Sequence, residues 1–232
     1  MMRFPILVAA ASALAVLLSG CSSAPGYPMP SAEVLRPQDQ LSFNTLFKQN
    51  CAACHGADGR NGAAIDLSNP EYQALVDDQS MKAWISGGMP GTQMPAFAIS
   101  SGGTLTDQQI DAIVRGMRKE WSQPGTLGGV NPPPYAQVEA GDAHRGEQGY
   151  NTYCASCHQA SKQQVTSPDY LALVGDQALR SIVIAGRPDI GHPDWRNDKP
   201  GSPLSAQNVT DIVTYLGSLR SLTPGQPYSQ HQ

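Results

Sequence analysis

The sequence is poor in charged and aromatic residues, and it has no run of basic side chains. Charged residues make up 15% of the 232 residues, aromatic residues make up 6%, and the formal net charge is −4. Proteins that bind nucleic acid carry basic patches that contact phosphates, so this composition argues against a nucleic-acid partner. No stretch after residue 20 is apolar over the ~20 residues that a membrane-spanning helix needs. Any membrane attachment is therefore expected at the N-terminus.

Cysteine is also scarce, and two short motifs account for most of it. The chain has five cysteines, four of which stand in two copies of C-x-x-C-H, while the fifth is Cys21 in the N-terminal segment. This distribution leaves no cysteine for a disulfide, a zinc site or a catalytic nucleophile. The two motifs are Cys51-Ala52-Ala53-Cys54-His55 and Cys154-Ala155-Ser156-Cys157-His158.

The C-x-x-C-H motif is typical of covalent haem attachment. Two thiols bind the two vinyl groups of one porphyrin, and the histidine becomes the proximal ligand of the iron. A redox-active dithiol is the alternative, but such pairs lie near a βαβ unit, and neither motif follows strand-like residues. We therefore predict two haem c groups, with His55 and His158 as proximal ligands. The predicted attachment residues are Cys51, Cys54, Cys154 and Cys157.

Residues 1–20 are typical of an export signal. Arg3 supplies positive charge, residues 6–18 are apolar, and Leu18-Ser19-Gly20-Cys21 looks like a bacterial lipobox, in which the cysteine is lipidated. An ordinary signal peptide or an uncleaved anchor helix is the alternative, although the apolar run is short for a spanning helix. We expect a lipid on Cys21 and a tether over residues 21–36, on the periplasmic side of a bacterial membrane. Serine rather than aspartate after the cysteine favours the outer membrane.

The rest of the chain contains an internal repeat, which has to be identified before the fold is predicted. Residues 70–97 align without a gap with residues 168–195 at an offset of 98, and ten of the 28 pairs are identical. The two C-x-x-C-H motifs are offset by 103, so the second copy lacks five residues just after its motif. The chain is therefore expected to contain two copies of one domain.

The repeat and the composition predict the domain boundaries. The first domain is expected over residues 37–122 and the second over residues 142–222. Residues 123–141 contain three consecutive prolines and several glycines, which predict a semi-extended linker. Residues 223–232 are polar and predict a disordered tail.

Each copy resembles a class I cytochrome c domain in the order of its features. These are an N-terminal helix, C-x-x-C-H, a loop-rich middle, a distal ligand followed by proline, and a C-terminal helix. The resemblance covers nearly all of the chain after the tether. It implies an all-α, loop-rich fold of two tandem cytochrome c-like domains, whose small helices wrap around covalent haem.

The resemblance also implies distal iron ligands. Met94, followed by Pro-Ala-Phe, looks like the distal methionine of the family, and Met89 is its rival. The second copy has no methionine, and the ungapped alignment places His192 at the position of Met94. We expect His192 to bind the second iron. The alternative is a surface histidine beside an iron that is five-coordinate or binds water.

In the cytochrome c family the N-terminal and C-terminal helices cross closely, with a glycine on one helix near an aromatic residue on the other. The second copy keeps this pattern as Gly146 and Tyr215. The first copy has Phe43 at the position of Gly146 and Gly116 at the position of Tyr215. We therefore expect the large and small partners to be exchanged across the first crossing.

The expected ligands indicate electron transfer, because a six-coordinate iron has no open position for a substrate. No catalytic residues and no enzyme activity are therefore expected. The leading hypothesis is a dihaem cytochrome that transfers electrons between membrane-associated respiratory or photosynthetic partners. Because methionine ligation raises the reduction potential, the first haem should have the higher one. The alternatives are a fixed subunit of a dehydrogenase or oxidoreductase complex, and a peroxidase-like enzyme with an open iron in the second domain.

Overall fold

The computed structural model describes residues 35–159, 165–196 and 203–221. The predicted export signal, Cys21 and the predicted tail lie outside these residues. By internal contacts the chain divides into two units, Met1–Asp39 and Gln40–Gln232. The described part of the first unit contains a 3-10 turn at Pro37–Asp39. Both C-x-x-C-H motifs belong to the second unit.

Helices form the regular structure of the second unit. Its described residues contain two isolated β-bridges and no strand, which confirms the all-α prediction. The half before the linker contains α1 (Phe43–Asn50), α2 (Ala52–His55), α3 (Pro70–Leu75), α4 (Asp78–Gly87) and α5 (Asp107–Trp121). The half after it contains α6 (Ala143–Tyr153), α7 (Ala155–His158), α8 (Pro168–Ala172), α9 (Asp176–Ala185) and α10 (Ala206–Ser218). In the described ranges, no helix combines the length and apolar character needed to cross a membrane.

Side-chain caps fix the start of the last helix in each half. Thr106 Oγ1 accepts a hydrogen bond from the Gln109 amide at 3.2 Å, and Gln109 Oε1 accepts one from the Thr106 amide at 3.0 Å. Ser205 and Asn208 form the same reciprocal pair at 3.1 and 3.0 Å. These are capping boxes, which satisfy amides that would otherwise lack partners at a helix N-terminus. Thr106 and Ser205 are therefore the N-caps of α5 and α10.

Each half has its own apolar core. In the first half the core lies where α5 crosses α1 and α4, and in the second half it lies where α10 crosses α6 and α9. Core residues on α5 include Ile110, Ile113, Val114 and Met117, and those on α10 include Val209, Ile212, Val213 and Leu216. Burial of these apolar faces stabilises helices that are too short to be stable alone.

The exchanged helix crossing predicted for the first half is confirmed. A Cβ atom added to Gly116 would lie 2.1 Å from Cγ of Phe43, so the aromatic ring occupies the space that glycine leaves open. In the second half a Cβ on Gly146 would lie 2.7 Å from Cβ of Tyr215. The glycine is therefore on α5 in the first half and on α6 in the second.

In each half, an arginine in or just after the C-terminal helix binds backbone carbonyls of the middle segment, a contact that was not predicted from the sequence. In the first half Arg118 donates hydrogen bonds to the carbonyls of Gln73 and Val76. In the second half Arg220 donates to the carbonyls of Leu171 and Val174, at 3.0 and 2.8 Å. These acceptors are equivalent positions of the repeat. The two arginines thus bind equivalent backbone carbonyls in the two copies.

The linker over residues 123–141 is bound to the second half rather than only spanning a gap. Arg180 on α9 is buried, and its Nε donates to the carbonyls of Pro134 and Tyr135 at 2.9 and 3.1 Å. Gln177 also donates to the carbonyl of Tyr135, at 2.9 Å. Tyr135 itself packs against the core of the first half. The linker therefore contacts both halves.

Candidate haem-binding sites

In the first motif, a short helical turn brings two thiols and an imidazole together. Cys51 ends α1, where its amide donates to the carbonyl of Phe47 at 2.8 Å. The amides of Cys54 and His55 then donate back to the carbonyl of Cys51 at 3.2 and 3.0 Å. Residues separated by three and four positions share one face of a helix, so all three side chains start from the same side of α2.

The second motif has the same backbone. The Cys154 amide donates to the carbonyl of Tyr150 at 2.8 Å, and the amides of Cys157 and His158 donate to the carbonyl of Cys154 at 3.2 and 3.1 Å. Each value is within 0.1 Å of its counterpart in the first motif. The repeat detected in the sequence therefore extends to the hydrogen bonds of the two motifs.

The first thiol of each motif does not have the properties of a reactive cysteine. Burial, together with the neighbouring Cys54, raises the pKa of Cys51 to about 12. Burial and Cys157 raise the pKa of Cys154 to about 11. Reactive cysteines of redox enzymes have lowered pKa values that favour the thiolate. Burial thus favours the protonated form of Cys51 and Cys154, which argues against the dithiol alternative.

His55 is oriented as a metal ligand would be. Its Nδ1 lies 3.0 Å from the carbonyl oxygen of Ile65. Because a carbonyl can only accept, Nδ1 carries the proton, and Nε2 keeps a free lone pair. Burial lowers the pKa of His55, which favours the neutral imidazole. A ligating histidine commonly donates its second ring N–H to a backbone carbonyl in this way.

Two equivalent loops carry the predicted distal residues. In the first half the Met89 amide donates to the Met94 carbonyl at 3.0 Å, and Met94 packs against the core. In the second half the Arg187 amide donates to the His192 carbonyl at 3.0 Å. By the offset of 98, Arg187 corresponds to Met89 and His192 to Met94. The structure therefore places Met94 and His192 at the same point of the fold.

A glycine fixes the conformation of each of these loops. Gly88 and Gly186 have φ values of 70° and 73°, a region that residues with a side chain rarely adopt. A Cβ on Gly88 would lie 2.8 Å from the Met94 carbonyl oxygen, and a Cβ on Gly186 would lie 2.8 Å from that of His192. The turn and the close approach of the backbone both require glycine. The shared geometry supports the ungapped alignment of the two loops.

In the second half the two imidazole rings lie close together. The ring centroids of His158 and His192 are 5.9 Å apart, with 41° between the ring planes. Two imidazole nitrogens bound about 2 Å from a metal on opposite sides, with about 1 Å more to each ring centroid, give a separation of roughly 6 Å. The spacing therefore fits a metal ion between the two rings.

The environment of His192 also fits a ligand. Its Nδ1 is buried and has no hydrogen-bond partner among the described residues. Burial, and secondarily the neighbouring His158, lowers the pKa of His192, so the ring is neutral at pH 7. Neutral imidazole is the form that binds metals. His144 differs, because it is exposed on α6.

Comparison with known proteins gives a family match to both halves. The model described as cytochrome C oxidase, cbb3-type, subunit III matches residues 38–115 and residues 141–216, which together are more than half of the chain. The linker residues 123–141 lie almost wholly between the two matches.

Three curated proteins from bacteria are similar over part of their length. The Azospirillum sp. (strain B510) Cbb3-type cytochrome c oxidase subunit CcoP is 27% identical over 56% of this chain and 45% of its own. A cytochrome bc1 complex cytochrome c subunit of Corynebacterium diphtheriae is 32% identical over 41% of this chain and 34% of its own. The dihydro-heme d1 dehydrogenase of Pseudomonas aeruginosa is 39% identical over 30% of this chain and 13% of its own. The chain thus spans less than half the length of each relative.

Proposed function

Because this chain belongs to the family described as cytochrome C oxidase, cbb3-type, subunit III, and is a tandem c-type cytochrome, we propose that each half holds one haem c. Membership in this family implies electron transfer through covalently bound haem c. We propose that the protein receives and donates single electrons between membrane-associated redox partners. The proposed domains are residues 37–122 and 142–222, joined by the linker over residues 123–141.

The closely spaced imidazoles of His158 and His192 carry this proposal, because their 5.9 Å separation fits an iron between them. In the first half, His55 and Met94 are the proposed axial ligands, and the equivalence of the two distal loops supports Met94 over Met89. The attachment residues are those of the two C-x-x-C-H motifs.

When bound, the haem supplies a reversible one-electron change at its iron. The residues of the chain determine how that change occurs. His55 is held by the Ile65 carbonyl, and Met94 packs against the apolar core of the first half. With a thioether in the first half and a second imidazole in the second, the first site has the higher reduction potential. Electrons then pass downhill from the second half to the first.

A carrier accounts for these features better than an enzyme. Two axial ligands at each iron leave no coordination position for a substrate, so the peroxidase-like alternative requires His192 to be displaced. A fixed subunit of a larger complex is a second candidate function. Two of the relatives favour it, since one is named as a subunit of a cbb3-type oxidase and the other as a subunit of a bc1 complex.

Low-temperature electron paramagnetic resonance of the oxidised, haem-loaded protein tests the proposed ligands. We expect two low-spin ferric signals and no persistent high-spin signal. His192→Ala should convert one of the two signals to high spin. His144→Ala is the matched control, because His144 lies on the same half but is exposed on α6. A high-spin signal from the unmodified protein would contradict the carrier proposal.

The proposed location follows from the N-terminal sequence. We propose that Cys21 carries lipid and tethers the protein to the periplasmic side of a bacterial membrane. Fractionation of cells that express Cys21→Ser should move the haem-containing protein from the membrane to the soluble fraction. Ser22→Ala is the matched control and should leave it in the membrane fraction. An unchanged membrane fraction for Cys21→Ser would overturn the lipid anchor.

A further inference from the structure

Two loops that neighbour the proposed iron ligands of different halves contact each other. The proximal loop, residues 61–65, follows the first C-x-x-C-H motif, and the distal loop, residues 187–192, leads to His192. Arg187 donates through Nη1 to the Ala64 carbonyl at 2.8 Å and through Nη2 to the Gly62 carbonyl at 3.2 Å. In return, the Asn61 amide donates to Asp189 Oδ2 at 2.9 Å.

The side chains that make this contact form a buried ion pair. Arg187 Nε donates to Asp189 Oδ1 at 2.9 Å, and Arg187 Nη2 donates to Asp189 Oδ2 at 2.7 Å. The two side chains are only 9% and 1% exposed. The planar guanidinium thus binds the carboxylate with one edge and two carbonyls of the proximal loop with the rest of its donors. Its charge is therefore paired inside the contact.

The proximal loop is in turn packed against the first C-x-x-C-H motif. The Ala64 amide donates to the Cys54 carbonyl at 2.9 Å. A Cβ on Gly62 would lie 2.2 Å from the Cys54 carbonyl oxygen, so the loop touches the motif backbone directly. The loop ends at the Ile65 carbonyl, which binds Nδ1 of His55. The position of the loop is thus coupled to the orientation of the His55 ring.

The distal loop is tied to His192 just as closely. The Arg187 amide donates to the His192 carbonyl at 3.0 Å, and the His192 amide donates to the Arg187 carbonyl at 2.9 Å. Covalent and hydrogen bonds therefore run continuously from His55 through Ile65 and Ala64 to Arg187, and from there to His192.

The first half lacks this arrangement. The positions of Arg187 and Asp189 correspond to Met89 and Gly91 at the repeat offset of 98. Because the distal loop of the first half closes with the same hydrogen bond, from the Met89 amide to the Met94 carbonyl, without the ion pair, the closure of the loop does not require it. The pair therefore has a role outside its own loop, and the segment that it contacts is the proximal loop of the other half.

We propose that the Arg187–Asp189 pair holds the two proposed haem sites in contact and provides the route for electron transfer between them. The inference rests on the proposed function, because it assumes that His55 and His192 bind iron. One electron leaves the iron of the donor half and reaches the iron of the acceptor half. No bond forms or breaks, no proton moves, and the external redox partners supply and remove the electron. Arg187 is thus a positioning residue for transfer within the molecule.

Rapid photochemical reduction of the full-length, haem-loaded protein measures transfer between the two sites. The unmodified protein should show an intramolecular phase whose rate does not depend on protein concentration. Arg187→Met introduces the residue found at the equivalent position of the first half, and it should abolish this phase. Asp189→Asn should have the same effect, and the double variant should be no worse than either single variant, because the two side chains act as one unit.

Arg196→Met is the matched control. Arg196 forms a different ion pair between the halves, with Glu71, and it belongs to neither loop. This variant should keep the intramolecular phase. Hydrogen exchange provides a readout that does not depend on the haem. Loss of a buried ion pair should raise exchange of the Asn61 amide by about a hundredfold or more in Arg187→Met, and Arg196→Met should leave that amide protected.

The outcomes separate the inference from the proposed function. If the unmodified protein lacks two low-spin haems, the proposed function is wrong, and so is the inference that rests on it. If it has them, and Arg187→Met and Asp189→Asn keep both the intramolecular phase and the protection of Asn61, the inference alone is wrong. Faster exchange at Asn61 with an unchanged electron-transfer rate also overturns it, since the contact would then be structural only.

Discussion

Replacing Gly116 with alanine is expected to destabilise the protein, although the same change in an open helix is stabilising. Gly116 lies within α5, where alanine is favoured over glycine by about 1 kcal/mol. The added Cβ would lie 2.1 Å from Cγ, 2.3 Å from Cδ2 and 2.5 Å from Cβ of Phe43. Carbon atoms pack best at about 3.5–4 Å. Either the two helices separate, or Phe43 leaves the crossing.

The surroundings of Phe43 set the size of the effect. Its ring centroid lies 5.5 Å from those of both Phe47 and Trp121, so the ring cannot rotate without disturbing two aromatic neighbours. Overpacking of a close contact costs about 1–3 kcal/mol and occasionally more. The clash involves atoms at the base of the ring, so the upper part of that range applies. After the gain in helix propensity, we expect a net loss of about 1–2 kcal/mol.

Chemical denaturation of the full-length, haem-loaded protein, followed by circular dichroism, measures this change. Gly87→Ala is the matched control, because Gly87 ends α4 and a Cβ there would meet nothing within 4 Å. That control should stabilise the protein by up to about 1 kcal/mol. Adding Phe43→Ala to Gly116→Ala should cost less than the sum of the two single changes, because the clash is then removed. If Gly116→Ala stabilises the protein as Gly87→Ala does, the reasoning about the exchanged crossing is refuted.

Three further predictions concern the two sites and their contact. His192→Met should raise the reduction potential of the second haem, because the introduced methionine would supply a thioether, the ligand proposed for the first half. A redox titration in which that potential falls would contradict the proposed ligation by His192. Cys154→Ser combined with Cys157→Ser should yield a protein with one covalent haem instead of two. The absorbance of the haem that stays on the denatured polypeptide, relative to the protein concentration, measures this number. The ion pair with Arg187 lowers the pKa of Asp189 in the folded protein. The stabilisation by this pair should be complete above the pKa of Asp189 in the unfolded chain, ~4. It should be lost as the pH falls through the pKa of Asp189 in the folded protein. The difference in unfolding free energy between the unmodified protein and Asp189→Asn should therefore shrink on acidification from pH ~6 towards pH ~2, and a difference that grows would refute this sign.

Much of the fold could be predicted because its signals are local in the sequence. The C-x-x-C-H spacing depends on five adjacent residues, and the repeat depends on two stretches of sequence that align without a gap. The repeat also placed His192 at the point that Met94 occupies, without any information about contacts. The exchanged pair of Phe43 and Gly116 followed from aligning the C-x-x-C-H motifs and the C-terminal helices of the two copies, since a helix crossing must conserve volume.

The contacts between the halves were not predicted, because they join residues that have no fixed spacing in the sequence. Arg187 and Ala64 are 123 positions apart, and Asn61 and Asp189 are 128 apart. Such pairs leave no periodic pattern. The one available signal was the repeat itself, in which Met89 and Gly91 of the first copy are replaced by a buried arginine and aspartate in the second. A charged pair at positions that are uncharged in the other copy points to a role outside the copy.

The linker illustrates the same limit. Its prolines and glycines predicted a semi-extended segment, and composition alone allows several arrangements of the two halves. In the structure, Arg180 and Gln177 bind the carbonyls of Pro134 and Tyr135. Neither side chain lies near the linker in the sequence, and an arginine on a helix ordinarily indicates a solvent-facing position. Its burial was therefore visible only once the chain was folded.

The central claim is that each half carries its own covalently bound haem. Mass spectrometry of the purified, denatured protein tests it most directly, followed by digestion to separate the two motifs. The measured mass should exceed that of the polypeptide by two haems, with one on the peptide that contains Cys51 and Cys54 and one on the peptide that contains Cys154 and Cys157. A single haem, or two haems that both dissociate on denaturation, would contradict it.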